Sequence, residues 1–261
     1  ASNIAALGGN ALMAGVIGDD AAGHLVVDEL QRRGIDTKSV IIDVKKPTTQ
    51  KIRVVAQNQQ LLRIDYEDTG YVHPATETKV IQAIKAVMQD ADAIVVSDYA
   101  KGVITSELMK FVQAARSSKV LIVDPKPKHK IMYANASIIT PNLKEAKELA
   151  RNEESDVKTI GSQLVRELAS TILITLGEKG MALFQQNGEI TEIPTKAREV
   201  FDVSGAGDTV VAALALSLAA GADFGQPAFM ANHAAGVVVG KVGTATCSAE
   251  ELRGSIEHDG S

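Results

Sequence analysis

The sequence predicts an α/β fold in three layers, a mostly parallel central sheet with helices on both faces. Three observations predict it. Short apolar runs alternate along the chain with amphipathic, helix-like stretches, which is the pattern of strand–helix–strand units. The runs "ADAIVVSDY", "KVLIVDPK", "ASIITPN" and "STILITLG" are apolar at consecutive positions, as strands covered on both faces are. The 261 residues are 45% hydrophobic, enough for a substantial core.

In chain order, the opening "ASNIAALGG" lacks a Met and reads like the inside of a helix, so a preceding N-terminal piece is expected. "NALMAGVIG" reads as a buried strand, and "DAAGHLVVDELQRRG" as a helix that ends at Gly34 as its C-cap. Ser39 to Asp68 then breaks the alternation with three strand-like runs and no helix between them. Asn58-Gln59 offers a turn between "KIRVVAQ" and "QLLRIDY". This segment, about 39–68, is expected to form a small β flap whose partly apolar face needs covering by substrate closure or by a second subunit. A homodimer through the flap is the partner expectation. The four apolar runs follow, each leading through polar residues toward a helix, and "MALFQQ" adds a strand after Gly180. No repeat, low-complexity tract or linker divides the chain, so one domain with a flap is expected over 1–261.

Composition excludes several function classes. A net charge of -5 argues against nucleic acid as an electrostatic partner, and 3% aromatic residues without Trp leave no stacking platform. The single cysteine, Cys247, rules out an internal disulfide and fits a reducing cytoplasm. No run reaches the length of a membrane span. The five histidines (24, 73, 129, 233 and 258) show no metal-ligand spacing, and no Walker A motif or nucleophile elbow occurs.

The residues that carry chemistry close the apolar runs, where open α/β sheets gather ligands. "FDVSGAGDTV" places Gly205, Ala206, Gly207 and Asp208 at the start of an apolar helix. Each glycine in a helix interior costs about 1 kcal/mol relative to Ala. Ser204 could cap the helix, but Gly207 three residues on means there is no capping box. Glycines at a helix start admit a ligand close to the backbone, and the free amides with the helix dipole favour an anion such as phosphate. A carboxylate beside that phosphate is tolerable if it has a proton to collect, so Asp208 reads as a general base; the plainer reading is an acid that complements the dipole. "TPNLKEAKEL" puts Asn142 and Glu145 on one helix face, where Glu145 could hold Mg²⁺ through water or serve only as an N-cap partner. "ITLGEKG" offers Thr175, Gly177 and Gly180 as a nucleotide-phosphate loop or as a tight turn. "SDYAKG" places Asp98 and Lys101, and "DPKPKHK" Asp124 and Lys126, at strand ends; the lysines could meet phosphate or simply be solvated, and Arg53 and Arg63 on the flap are further candidates for a phosphorylated substrate.

Taken together these motifs resemble the PfkB, or ribokinase-like, carbohydrate kinases. "DVSGAGDT" resembles that family's C-terminal signature, "TPNLKE" its Asn-x-x-Glu motif, "TLGEKG" its ATP loop, and "ASNIA" the tail of its Gly-Gly-Ala-x-Asn segment. Within the family, "QKIRVVAQNQQLLRIDYE", "SDYAKG", "DPK" and "NHAAGVVVGKVGTAT" are most similar to bacterial D-glycero-β-D-manno-heptose-7-phosphate kinases, which stand alone or form one half of a bifunctional enzyme with a nucleotidyltransferase. The resemblance implies a ribokinase-like α/β/α sandwich that uses ATP and Mg²⁺ to phosphorylate a sugar phosphate in lipopolysaccharide core synthesis. It implies Asp208 as the base and Gly205, Ala206 and Gly207 as an anion hole. Asn142, Leu143, Lys144, Glu145, Thr175, Gly177, Gly180 and Asn232 would serve ATP. Asn3, Arg53, Arg63, Asp98, Lys101 and Lys126 would face the sugar phosphate. Asp202 and Ser204 match positions that hold a monovalent cation, K⁺, in some relatives. The family's sugar-gripping aspartate and glycine pair have no counterpart in these residues. The alternatives are another sugar or sugar-phosphate kinase of the family, acting on ribose, fructose or a hexose phosphate, and an inactive nucleotide-binding fragment.

Overall fold

The computed structural model describes residues 1–56, 59–197 and 200–258. The expected turn at Asn58 therefore lies outside the described residues. The first elements are α1 (Ser2–Ala6), β1 (Leu12–Ile17), α2 (Ala21–Arg32) and β2 (Asp36–Ile42), with β1 and β2 paired in parallel. Asp20 caps α2 by accepting from the Gly23 amide at 2.8 Å, and Gly34 (φ +73°) turns the chain out of it. The segment β3 (Gln50–Ala56) and β4 (Gln59–Tyr66) forms a separate antiparallel pair.

The expected flap thus needs a correction. Its first run, Ser39 to Ile42, belongs to β2 and pairs with β1, so the antiparallel flap begins at Gln50. Strand-like residues without an intervening helix looked like one unit, but the turn after Asp43 redirects the chain. Asp43 is buried and takes the Lys45 amide and the Thr76 hydroxyl, at 2.9 and 2.8 Å.

After the flap come α3 (Pro74–Val87), β5 (Ala93–Ser97), α4 (Ser106–Ala115), β6 (Val120–Asp124), β7 (Ile138–Ile139), α5 (Leu143–Ala150), α6 (Val157–Leu168) and β8 (Thr171–Thr175). The chain finishes with β9 (Met181–Phe184), β10 (Ile190–Ile193), α7 (Ala206–Ala219), α8 (Gly225–Val239) and α9 (Ala249–Glu257). Among the described residues the central sheet has the order β10-β9-β8-β7-β6-β5; β5 to β8 run parallel, and β9 and β10 are antiparallel. Two expected connections differ: a 3-10 segment (Pro127–Tyr133) rather than an α-helix follows β6, and a turn into β9 follows β8.

The three layers follow from the period-2 geometry of strands. Leu121, Val123, Ile172, Ile174, Ala182 and Phe184 face a core that α3, α4, α5 and α6 complete. Their neighbours Ile122, Leu173, Met181 and Leu183 face the other way, against α7, α8 and α9. Every one of these sheet residues is buried. This is the expected three-layer α/β/α sandwich, and it brings the C-terminal ends of β5 to β8 to one edge beside the start of α7.

Candidate active site

The start of α7 shows why its glycines are there, and the two differ. Gly205 is the N-cap at φ +82°, a left-handed conformation that costs an L side chain roughly 1–2 kcal/mol. Gly207 is helical, and a β-carbon placed there would meet no protein atom within 4 Å. No side chain caps the helix. Ser204 instead gives its amide to Asp202 at 2.8 Å, a hydrogen bond that holds the Asp202 carboxyl below the usual range. In this first turn the Ala206 amide donates to the Val203 carbonyl at 3.3 Å, while the space beside Gly207 is open and the carboxylate of Asp208 is exposed next to it.

Facing this turn is a group of side chains from the ends of β5, β6 and β7. Asn142 and Glu145 form a reciprocal capping box at the start of α5: the Glu145 amide donates to Asn142 Oδ1 at 2.9 Å, and the Asn142 amide to Glu145 Oε2 at 3.1 Å. The remaining oxygen of Glu145 is ion-paired with Lys126. Next to them, the Asp124 carboxyl is pushed up to about 7, by burial first and then by Glu145, with Lys126 opposing. Lys126 supplies one positive charge beside these two acids. Among the described residues, no three His, Cys, Asp or Glu side chains group closely enough to cage a metal directly.

The Asp124 shift has a sign that can be tested. Its folded value lies above the unfolded one, so its contribution to stability is full below about pH 4 and is lost as pH rises through about 7. Asp124→Asn removes that loss. The variant's melting temperature should exceed the parent's by a few degrees more at pH 8 than at pH 5; parallel curves would contradict the assignment.

The nucleotide-loop candidates assemble beside this group. Thr175 and Asn142 form a parallel bridge, and the Thr175 amide donates to the Pro141 carbonyl at 3.0 Å. Gly177 (φ +62°) has open space where a β-carbon would be. Gly180 is different: a β-carbon there would lie 2.1 Å from the Ile193 carbonyl oxygen, so this glycine is required where the turn between β8 and β9 passes close to the end of β10. Asn232 is buried in α8 and donates to the Pro194 carbonyl at 2.7 Å, which fixes the segment that Gly180 packs against. Leu143 packs against the core and Lys144 is exposed, 3.9 Å from Glu148, so neither side chain joins the group.

On the substrate side the outcome is mixed. Arg53 and Arg63 are directly opposed across the flap, where like charges destabilise a strand pair unless an anion or acid intervenes. Asp65 takes Arg63 in two contacts of 2.9 and 3.0 Å. Lys101 meets Glu67, which follows β4, at 2.5 Å. Asn3 lies on α1, and its side-chain oxygen is buried without a hydrogen-bond partner. Asp98, expected to face substrate, does not. It is 1% exposed and accepts from the Ala100 amide at 2.6 Å, His129 Nδ1 at 2.6 Å and the Tyr133 hydroxyl at 2.5 Å. With its proton on Nδ1, His129 takes the Tyr71 hydroxyl on Nε2 at 3.1 Å. A carboxylate with so many donors is an anchor, since a buried charge must be paired.

One residue at this edge had no role in the sequence reading. The Tyr99 hydroxyl donates to Asp208 Oδ1 at 3.3 Å, and the Lys126 ammonium lies 6.0 Å from the Tyr99 ring centroid. The signal was its place in "SDYAKG", two residues past the end of β5.

Residues 1–251 match the model of the pfkB family carbohydrate kinases. The chain is 41% identical to the bifunctional protein HldE of Geobacter sulfurreducens over 98% of its own length and 54% of that protein's. It is 40% identical to HldE of Helicobacter hepaticus, over 96% of this chain and 53% of that one. The chain thus spans about half the length of these relatives. Among solved structures, ribokinase from Giardia lamblia superposes with a TM-score of 0.80 at 20% identity, covering 97% of this chain and 86% of that one. Phosphofructokinase-2 from Escherichia coli, in a complex with potassium, gives 0.81 at 19% identity, covering 100% and 86%. Those two likenesses establish the ribokinase-like fold, and with the match along residues 1–251 the chain belongs to the pfkB family of carbohydrate kinases.

Proposed function

We propose that this kinase transfers the γ-phosphoryl group of ATP to the anomeric hydroxyl of D-glycero-β-D-manno-heptose 7-phosphate, giving the 1,7-bisphosphate used for the lipopolysaccharide inner core. The observation that supports the sugar-phosphate half is the cross-strand pair Arg53–Arg63, two guanidiniums on one face of the flap; Asp65 engages Arg63, and a substrate phosphate would meet the positive charge that one carboxylate does not balance. The heptose itself is supported by the resemblance of "SDYAKG", "DPK" and the α8 segment to heptose-7-phosphate kinases. In this reading Asp208 takes the hydroxyl proton, the sugar oxygen bonds to phosphorus, and the bond to the β-phosphate oxygen breaks in line. The amides of Gly205, Ala206 and Gly207 hold the transferring group. Thr175 and Gly177 line the ATP phosphates, with Asn232 fixing the adenine side. Glu145 would hold Mg²⁺ through water with Asp124 beside it; when bound, Mg²⁺ neutralises phosphate charge. A monovalent cation, K⁺, at Asp202 and Ser204 rests on the family resemblance. The reading places the protein in the cytoplasm, with ATP; among the described residues, no helix is long and apolar enough to cross a membrane.

A panel assay of the purified chain tests this, with ATP and ribose, fructose, fructose 6-phosphate or the heptose 7-phosphate, following ADP release and the phosphorylated product. The heptose 7-phosphate should be preferred over the unphosphorylated sugars by at least ~10²-fold in kcat/KM, since those lack the charge-assisted contacts that the flap arginines offer a phosphate. Preference for an unphosphorylated sugar would overturn the proposed substrate.

The flap supports a homodimer in the same reading. Ile52 and Ile64 face each other across the hairpin, as do Val54 and Leu62, and all four are exposed large hydrophobics. Lys51, Arg53, Arg63 and Asp65 alternate with them and so point to the opposite face. An isolated two-stranded ribbon with one apolar face is marginal in water, and a second copy's flap would cover it. Sedimentation should show a dimer for the parent at micromolar concentration and a monomer for Leu62→Asp; a monomeric parent would refute the proposal.

A further inference from the structure

Asp208 is exposed, and an exposed carboxylate rotates freely unless something holds one of its oxygens. Tyr99 does so through its hydrogen bond to Oδ1, from a position 109 residues away in sequence. The segment that delivers the tyrosine has little freedom of its own. Its preceding residue is Asp98, buried and held by the Ala100 amide, His129 and Tyr133. Its following residue, Ala100, sits at φ +53°, a left-handed conformation that is uncommon for any residue with a β-carbon. Gly102 (φ +85°) lies so close to the neighbouring loop that a β-carbon would fall 1.8 Å from the Gly70 carbonyl oxygen. Lys101 is tied to Glu67 at the foot of the flap.

Backbone strain of this kind persists where the surroundings over-determine it, and it gathers at sites that need fixed geometry. Its product here is the placement of one ring, with Lys126 near its face and its hydroxyl on Asp208. Burial, followed by Asp208 and Asp124, pushes the Tyr99 hydroxyl up to about 12, so it keeps its proton for donation at neutral pH.

We propose that Tyr99 is a positioning residue for phosphoryl transfer: by holding Oδ1 of Asp208 it leaves Oδ2 aimed at the acceptor hydroxyl. The proposal rests on the reading of Asp208 as the base. No bond to Tyr99 forms or breaks; its contribution is orientation, on which general-base catalysis depends steeply.

The test compares Tyr99→Phe with Asp208→Asn in the full chain, using ATP and the heptose 7-phosphate. Tyr99→Phe keeps the ring and removes the hydroxyl. The expected result is a kcat lowered about tenfold, with KM for both substrates within about twofold of the parent and an unchanged melting temperature. A merely structural role would lower the melting temperature and leave kcat alone, and that outcome overturns the proposal. So does a raised sugar KM at parental kcat, which would make Tyr99 a substrate contact. If Tyr99→Phe keeps parental kinetics while Asp208→Asn is inert, the positioning role fails and the reading of Asp208 stands. If Asp208→Asn stays active, both fall together.

Discussion

Replacing Asp208 by Asn should leave ATP binding close to the parent's and lower turnover by at least ~10²-fold, the low end for loss of a general base. The substitution is nearly isosteric and sits at an exposed position in the first turn of α7. Removing a negative charge from that turn costs about 0.3–1 kcal/mol of helix-dipole interaction, too little to unfold the chain. It also removes repulsion toward the nucleotide, so ATP affinity should hold or rise. An Asn oxygen still accepts from Tyr99, which preserves the local hydrogen bond. What is lost is the capacity to take a proton. Calorimetric titration with ATP and steady-state turnover, measured on one preparation, separate the two effects. Near-parental turnover would remove Asp208 from the proposed role.

Much of this site was legible because its parts are local. Strand ends, the double glycine and the Asn-x-x-Glu pair are each written within ten residues, and the strand-end rule gathers them. What could not be read is long-range. Asp98 looked like a substrate carboxylate because its partners, His129 and Tyr133, lie 31 and 35 residues away and reach it only through packing. Tyr99 was passed over because nothing in its neighbours announces Asp208. The pairing of Ser39–Ile42 with β1 was likewise hidden, since a strand's partner is a matter of topology, not of its own pattern. Residues with two readings kept both. Glu145 is a capping-box acid and also the partner of Lys126, so its local role does not exclude a chemical one. The glycines of "DVSGAGDT", by contrast, separate cleanly: Gly205 is demanded by backbone conformation, whereas nothing in the fold demands Gly207.

That separation gives the second large prediction, a stability gain coupled to an activity loss at Gly207. Gly207→Ala places a methyl group in a helical position where it meets no protein atom within 4 Å. Helix propensity then favours the variant by up to about 1 kcal/mol, the helix-interior value, which corresponds to at most roughly 2–4 °C in Tm for a chain near this size. The methyl group also enters the space where the first-turn amides would meet the transferring phosphoryl group. Donors in such a cradle work at about 2.7–3.1 Å from the oxygen they stabilise, and removing one costs about 10²–10³-fold in turnover. The variant should therefore melt higher and turn over at least ~10²-fold slower. Gly205→Ala is the control with the opposite stability sign: at φ +82° the added β-carbon strains the backbone, and Tm should fall. Calorimetry and turnover on both variants give a decisive pattern. A Gly207→Ala enzyme that is more stable and fully active would mean the phosphoryl group does not lie against this turn. One that is more stable and slow would show that the glycine is kept for the ligand, at a cost to the helix that carries it.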